Sequence, residues 1–337
     1  MGAQLTYKGK AYALFENESV LDCLLREHVP VPHSCCAGAC QSCMMQAVDG
    51  SVIPGKAQEG LKASLTSQGF FLACQCVPSQ DMWVRDPDAA GFETTVSVTE
   101  KRFLNAHVIA LSLTPVRPFA ARPGQYLTLM TPQNLARSYS IASDPERDSV
   151  ITLHVKLFPD GAMGGWLRSA SLGDEMRVRG PYGSCFYTQE EDTTFPLVLA
   201  GTGTGLAPLY GVLKDALAKG HEGPIHLFHG SLKAQDLYLE EELRALDGQH
   251  ANFTYIPCVL HTDGASNAYT QGDFKEIVLM GLPQDKARAR LFLCGAPDMV
   301  NALKTKAFLA GLSSKHIFVD AFLPSRSAPE EAQQAAS

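Results

Sequence analysis

The sequence predicts a multidomain chain: an α+β domain, then a small antiparallel β-barrel, then an α/β domain with a mainly parallel sheet. Three observations predict it. Cys35, Cys36, Cys40, Cys43, Cys74 and Cys76, six of the ten cysteines, crowd into one early segment. From Thr94 to about Phe186, short alternating strands recur at even spacing with turn residues between them, the pattern of a small barrel. From Pro196 onward, apolar strands alternate with helices, which implies βαβ units. A chain of 337 residues is also too long for one ordinary core.

Residues 3–15 alternate and read as a hairpin turning near Gly9. Glu18-Ser19 then opens a helix with Val20, Leu21, Leu24 and Leu25 on one face, and Pro30 and Pro32 stop it. The polar stretch Arg85-Asp86-Pro87-Asp88-Ala89-Ala90-Gly91 reads as a linker. Barrel strands are expected in 94–102, 107–115, 125–131, 149–158 and 175–183. Strands in 196–201, 224–230 and 289–295 are each followed by a helix, in 207–220, 236–247 and 296–311. The domains are accordingly 1–88, 94–190 and 193–325, with a disordered tail at 326–337 that is poor in apolar residues.

Composition narrows the classes of function. The formal charge of −7 argues against nucleic acid and leaves open a basic docking surface on another protein. No apolar run approaches the length needed to cross a bilayer. Charge interrupts every apolar stretch at the N-terminus, so it does not read as a signal peptide. Met1-Gly2 does not read as a myristoylation site, because Thr6 already lies in a strand-like pattern. A cytoplasmic monomer with no membrane contact is expected, and the clustered cysteines suggest a metal site in a reducing compartment.

The cysteine segment carries the sharpest signal. Cys35, Cys40 and Cys43 fit C-x₄-C-x₂-C, and Leu72-Ala73-Cys74 supplies a fourth thiolate. That is the spacing of a plant-type [2Fe–2S] cluster, with small residues between the thiolates that let N–H groups point at sulfur. A structural zinc site is the alternative, but zinc ligands usually come as two short pairs. No His stands at the spacing a Rieske centre needs. Cys36 and Cys76 fall outside the pattern and read as bystanders.

Arg137-Ser138-Tyr139-Ser140 follows Pro123-Gly124-Gln125-Tyr126 in the barrel segment. It offers a guanidinium for phosphate, an aromatic face for a flat ring and a hydroxyl donor, although a tyrosine-bearing strand is often simply core. Gly161-Ala162-Met163-Gly164-Gly165 resembles a helix start open to a pyrophosphate. Gly201-Thr202-Gly203-Thr204-Gly205-Leu206-Ala207-Pro208 lies between a strand and a helix, where glycines admit a dinucleotide phosphate. A tight strand-to-helix turn would not need three alternating glycines, and their order is not that of a Rossmann dehydrogenase.

Together these motifs resemble the ferredoxin–NADP⁺ reductase superfamily, joined by Gly180-Pro181-Tyr182-Gly183, Cys294-Gly295-Ala296-Pro297-Asp298-Met299 and Asp320-Ala321-Phe322. With the cysteine module in front, the order is similar to that of bacterial oxygenase reductase components of the benzoate dioxygenase type, and of the CDP-sugar deoxygenation reductase. The resemblance implies a β-grasp ferredoxin domain, an FAD-binding barrel and a nicotinamide-binding α/β domain. By resemblance, Arg137 and Ser138 lie with the FAD pyrophosphate, Tyr139 packs on the isoalloxazine and Ser140 hydrogen-bonds N5. His154, Val155, Lys156, Gly161, Ala162, Met163 and Gly164 line the rest of the flavin. Gly201, Thr202, Gly203, Thr204, Gly205 and Pro208 take the dinucleotide, with Asp236 at its ribose. Cys294 and Gly295 lie by the nicotinamide, and Asp320 and Phe322 by the flavin. Gly164 stands where the family commonly has Ser, and Asp320 where Glu is frequent. Ser140, Cys294 and Asp320 are the expected catalytic residues.

The implied reaction passes hydride from NAD(P)H to FAD and then single electrons through [2Fe–2S] to a separate acceptor, such as an oxygenase component or its ferredoxin. The other readings are a redox sensor, which lacks an output module here, and a flavin reductase with a vestigial cluster domain, against which the intact ligand spacing argues.

NADH is expected over NADPH. Family members that use NADPH end the strand after the first helix in Ser-Arg, whereas Ile225-His226-Leu227-Phe228-His229-Gly230 ends here in Ser231-Leu232, with Asp236 following. A carboxylate near the ribose suits a free 2′-hydroxyl, while Lys233 could still reach a phosphate. Losing a bidentate phosphate contact costs about 2 kcal/mol or more. The ratio of kcat/KM should therefore favour NADH by about tenfold or more, and equal values would assign phosphate reading to Lys233.

Overall fold

A turn with Lys8 and Gly9 both at positive φ opens the chain, as a two-residue hairpin requires. The structure, a computed structural model, describes residues 3–48, 51–61, 63–66, 68–87, 93–261 and 268–323. Residues 88–91 of the expected linker, the N-terminal Met1-Gly2 and the tail from 324 lie outside the described residues.

The hairpin joins β1 (Gln4–Tyr7) to β2 (Lys10–Ala13). Ser19 caps α1 (Val20–Arg26) by accepting from the Asp22 N–H, leaving Val20, Leu21, Cys23 and Leu24 buried. β3 (Met44–Ala47), α2 (Ala63–Thr66), β4 (Phe70–Leu72) and β5 (Met82–Arg85) complete the domain. The strand order is β2-β1-β5-β3-β4, with β1 and β5 parallel and the other pairs antiparallel. Pairing Met44 with Leu72 sets Cys43 beside Ala73, whose N–H donates to the Cys43 carbonyl at 3.1 Å. Register thus carries Cys74 across to the cysteine loop.

β6 (Glu93–Phe103), β7 (Val108–Pro115), β8 (Tyr126–Met130), β9 (Ala136–Ser140), α3 (Pro145–Asp148), β10 (Ile151–Lys156), α4 (Ala162–Ser169) and β11 (Glu175–Tyr182) form the second unit. The antiparallel order is β10-β7-β6-β11-β8-β9, and a bridge between Ile141 and Leu153 closes it into a barrel. β6 starts at Glu93, one residue before the expected boundary.

The third sheet is parallel throughout, in the order β15-β14-β13-β12-β16-β17. Its strands are β12 (Leu197–Thr202), β13 (Ile225–Ser231), β14 (Phe253–Val259), β15 (Thr270–Gln271), β16 (Arg290–Gly295) and β17 (Ile317–Ala321). Its helices are α5 (Leu206–Ala218), α6 (Glu240–Gln249), α7 (Phe274–Met280) and α8 (Pro297–Leu309). The chain reverses direction across the sheet at β12, between β13 and β16, and ligands bind at such a switch point. The helix expected from Asp236 starts only at Glu240, because Leu239 sits at φ 57° and Asp236 closes a short 3₁₀ turn. β14 and α7 have no counterpart in the sequence reading.

Close backbone approach holds this region together. A Cβ on Gly211 of α5 would lie 2.9 Å from the Ile141 carbonyl and 3.0 Å from the Gly124 N–H of the barrel. A Cβ on Gly205 would lie 2.3 Å from the Cys294 carbonyl. Gly205→Ala should therefore lower unfolding stability by about 1–3 kcal/mol through overpacking, read by denaturant titration. An unchanged midpoint would show that β16 and the β12–α5 turn can separate freely.

Candidate functional site

A cavity of about 1570 Å³ opens between the cysteine loop, the barrel and the third sheet. Pockets for drug-sized ligands run to about 1,000 Å³, so this one has room for a dinucleotide. β9 supplies Arg137, Ser138, Tyr139 and Ser140 to its wall, and β10 supplies His154 and Lys156. Val155 alternates to the other face and is 0% exposed in the barrel core, which corrects its place among the lining side chains. Gly161, Ala162, Met163 and Gly164 bring the start of α4 to the same cavity, and no side chain caps that start. Uncapped N–H groups at a helix N-terminus suit a pyrophosphate. A Cβ at Gly164 would lie 3.2 Å from the Phe158 carbonyl, a tight contact that favours glycine there. Two buried hydroxyls on the lining, Ser138 Oγ and Tyr182 OH, have no hydrogen-bond partner. Orphaned hydroxyls beside an uncapped helix fit a polar, phosphate-bearing flavin.

From the third sheet, Asp320, Phe322, Thr204 and the start of α8 reach the cavity. Ser140 Oγ donates to Asp320 Oδ2 at 2.7 Å across 180 residues of sequence. Burial pushes the Asp320 carboxyl up to about 6, opposed by the Ser140 hydrogen bond. Burial also holds His154 down at about 3, so its ring is neutral, with Nδ1 3.3 Å from the Tyr238 hydroxyl. Of the glycines in the β12–α5 turn, Gly203, at φ 55°, would point a Cβ into open space, while Cβ atoms at Gly201 and Gly205 would collide with protein. A Cβ on Gly295 would lie 2.8 Å from Thr202 Oγ1, and Pro208 is buried in α5. Cys294 is 0% exposed, 3.4 Å from the Cys185 sulfur, and does not line the cavity. The Asp236 carbonyl is held by Asn105 Nδ2 of the barrel at 3.0 Å. Tyr126, Pro297 and Asn301 also line the cavity and were absent from the expected site. Tyr126 and Pro297 nonetheless stand inside motifs legible in the sequence.

Cys35 and Cys40 line the same cavity. The N–H groups of Ala37 and Cys40 donate to Cys35 Sγ at 3.4 Å, and the Cys35 N–H donates to Cys40 Sγ at 3.4 Å. The Cys40 thiol and these backbone donors pull Cys35 down to about 5. Cys43 and Cys74 form a second hydrogen-bonded pair, which pulls Cys74 down to about 7 and pushes Cys43 up. Gln75 Nε2 donates to Cys74 Sγ at 3.5 Å. Among the described residues no three His, Cys, Asp or Glu side chains converge as one metal ion requires. Two adjacent thiol pairs suit two irons instead, one pair to each. Cys76 is buried against Met82 and pushed up to about 12, and the Cys36 thiol donates to the Ser34 carbonyl.

Residues 6–79 match the model of the 2Fe-2S iron-sulfur cluster binding domain, 95–187 the oxidoreductase FAD-binding domain and 199–305 the oxidoreductase NAD-binding domain. The chain is 32% identical over 318 residues to the naphthalene 1,2-dioxygenase system ferredoxin–NAD(P)⁺ reductase component of Pseudomonas putida, covering 91% of this chain and 94% of that one. It is 34% identical over 319 residues to the aromatic O-demethylase reductase subunit of an Amycolatopsis species, with coverage of 91% and 94%. The crystal structure of Amycolatopsis cytochrome P450 reductase GcoB superposes with a TM-score of 0.67 at 30% identity, over 96% of this chain and 99% of that one.

Ser replacement at Cys35, Cys40, Cys43 or Cys74 should each abolish the visible absorbance of the cluster, while Cys36→Ser and Cys76→Ser retain it. Retention in Cys74→Ser with loss in Cys76→Ser would move the fourth ligand. A second expectation concerns pH. Asp320 is raised in the folded chain, to about 6 from 3.8, so its stabilising contribution is complete below 3.8 and lost as pH rises through 6. In flavin-free protein, Asp320→Asn should therefore stabilise more at pH 7.5 than at pH 5, by about 1 kcal/mol. Urea unfolding at the two pH values measures this, and an equal effect at both would mean that Asp320 is not raised.

Proposed function

Since this chain belongs to the family of electron-transfer reductase components of bacterial oxygenase systems, we propose that it carries electrons from NADH through FAD and a [2Fe–2S] cluster to a separate oxygenase component. One observation carries this order above the rest: Cys35 and Cys40 open onto the same cavity as Arg137, Tyr139 and Asp320. The flavin supplies the exchange between hydride and single electrons, and the cluster supplies one-electron carriage. The chain's own residues bind, orient and handle the proton.

Arg137, at the mouth of β9, presents a guanidinium for the pyrophosphate opposite the open N–H groups of α4. The Tyr139 ring, partly buried against the barrel core, gives a flat ring its platform. Neutral His154 adds a polar edge without charge. Ser140 Oγ and Asp320 Oδ2 form a proton-holding pair inside the cavity, with Asp320 near the operating pH. Cys35, Cys40, Cys43 and Cys74 hold the cluster, and N–H donors to their sulfurs favour the thiolate form. Gly203 leaves space for the nicotinamide dinucleotide at the switch point.

No helix among the described residues is long and apolar enough to cross a membrane. All ten cysteines are free, which fits a reducing compartment. Sugar deoxygenation has no counterpart among the relatives named above.

Reduction of cytochrome c by NADH should be lost when the cluster is removed by acid or by Cys40→Ser, whereas ferricyanide reduction persists through the flavin. Cytochrome c reduction that survives cluster removal would place the electron exit at the flavin.

A further inference from the structure

The outer face of the barrel is not free surface where β6, β11 and β8 run side by side. Arg179 stands opposite Glu93 on one neighbour and opposite Thr128 on the other. It is 3% exposed. Its Nε donates to Glu93 Oε1 at 2.8 Å, and Nη2 reaches the same oxygen. Its Nη1 donates instead to the Ser42 carbonyl of the cysteine loop at 3.1 Å. Thr128 Oγ1 lies 3.1 Å from Ser42 Oγ, and neither residue is exposed. Ser42 stands between Cys40 and Cys43, so both contacts grip the loop at its centre.

Domains of one chain meet through modest interfaces and move relative to one another by default. A buried ion pair adds little net stability compared with apolar packing of the same volume. It does have few satisfied arrangements, because breaking it strands a charge. Arg179 forms such a pair and also donates from Nη1 to the loop backbone.

We propose that Arg179 and Thr128 are positioning residues that fix the cysteine loop in one register on the barrel and thereby set the rate of flavin-to-cluster electron transfer. This rests on the assignment of Cys35, Cys40, Cys43 and Cys74 as cluster ligands. Each transfer moves one electron: the reduced flavin is oxidised by one, and the diferric cluster gains it, one iron becoming ferrous. Two transfers, separated by discharge of the cluster to the acceptor, return the anionic reduced flavin to its oxidised form and release one proton.

The test uses holoprotein of the unaltered chain and of Arg179→Met and Thr128→Val, mixed anaerobically with NADH in stopped flow. Flavin bleaching by NADH should match the unaltered chain, and the dithionite-reduced cluster should keep its paramagnetic resonance signature. Cluster reduction should slow by about threefold or more in each variant, because electron tunnelling falls off exponentially with separation and a site left without its supporting contacts is held about 1 Å too loosely. Hydrogen exchange in the peptide spanning residues 35–46 should also quicken. Cluster reduction at the unaltered rate in Thr128→Val, with the cluster loaded, overturns the proposal. That variant is near-isosteric and decides alone if Arg179→Met does not fold. Absence of cluster absorbance in the unaltered chain would instead overturn the ligand assignment, and the proposal with it.

Discussion

The hydrogen bond from Ser140 to Asp320 joins the end of the barrel's last-paired strand to the end of the third sheet's edge strand. A carboxyl in that setting needs a partner, because a buried polar group without one costs more than the bond contributes. Satisfying it requires barrel and sheet to meet within van der Waals contact along a whole seam. The seam is accordingly built of small residues, with Gly211 of α5 against Gly124. It is also tied by Asn105 to Asp236 and by His154 to Tyr238. The cavity is the space left beside this seam, and the Ser140–Asp320 pair on its wall is part of the joint itself.

A second polar joint ties the barrel to the cysteine loop. There Arg179, Glu93 and Thr128 cover strand faces that would otherwise meet water, and Tyr126 donates to the Ala39 carbonyl at 2.9 Å. Both joints rely on few, fully satisfied hydrogen bonds, which specify geometry more than they add stability. The barrel is thus held by two different neighbours, and residues of all three line the cavity.

Much of this was legible in the sequence, because the legible parts are local. The thiol spacing is a property of one loop, and the hairpin, the α1 cap and the barrel alternation each depend on neighbours in the chain. β14 escaped notice because Pro257 interrupts it. Proline is tolerated there because, among the described residues, the strand beyond it is the two-residue β15, which leaves β14 almost an edge. The late start of α6 turns on Leu239 at positive φ, which no propensity announces. Cys294 was expected to face the nicotinamide but is buried against Cys185, a contact between domains that spacing cannot encode. Arg179 and Thr128 read as ordinary outward-facing strand residues, since alternation says which face a residue takes and not what covers that face.

The three alternating glycines of the β12–α5 turn show how a motif can divide its labour. Gly201 and Gly205 are spoken for by protein, Gly201 against Leu209 and Gly205 against the Cys294 carbonyl. Only Gly203 looks onto open space. The outer glycines therefore bring β16 and α5 close enough for the crevice to exist, and the middle one keeps it accessible. The same crevice holds Asp320 at the end of β17, next to β16 in the sheet. The packing that shapes the strand ends thus also places the buried, raised Asp320 carboxyl. The cysteine loop lines the same cavity through Cys35 and Cys40, so strand ends, barrel and loop share one space.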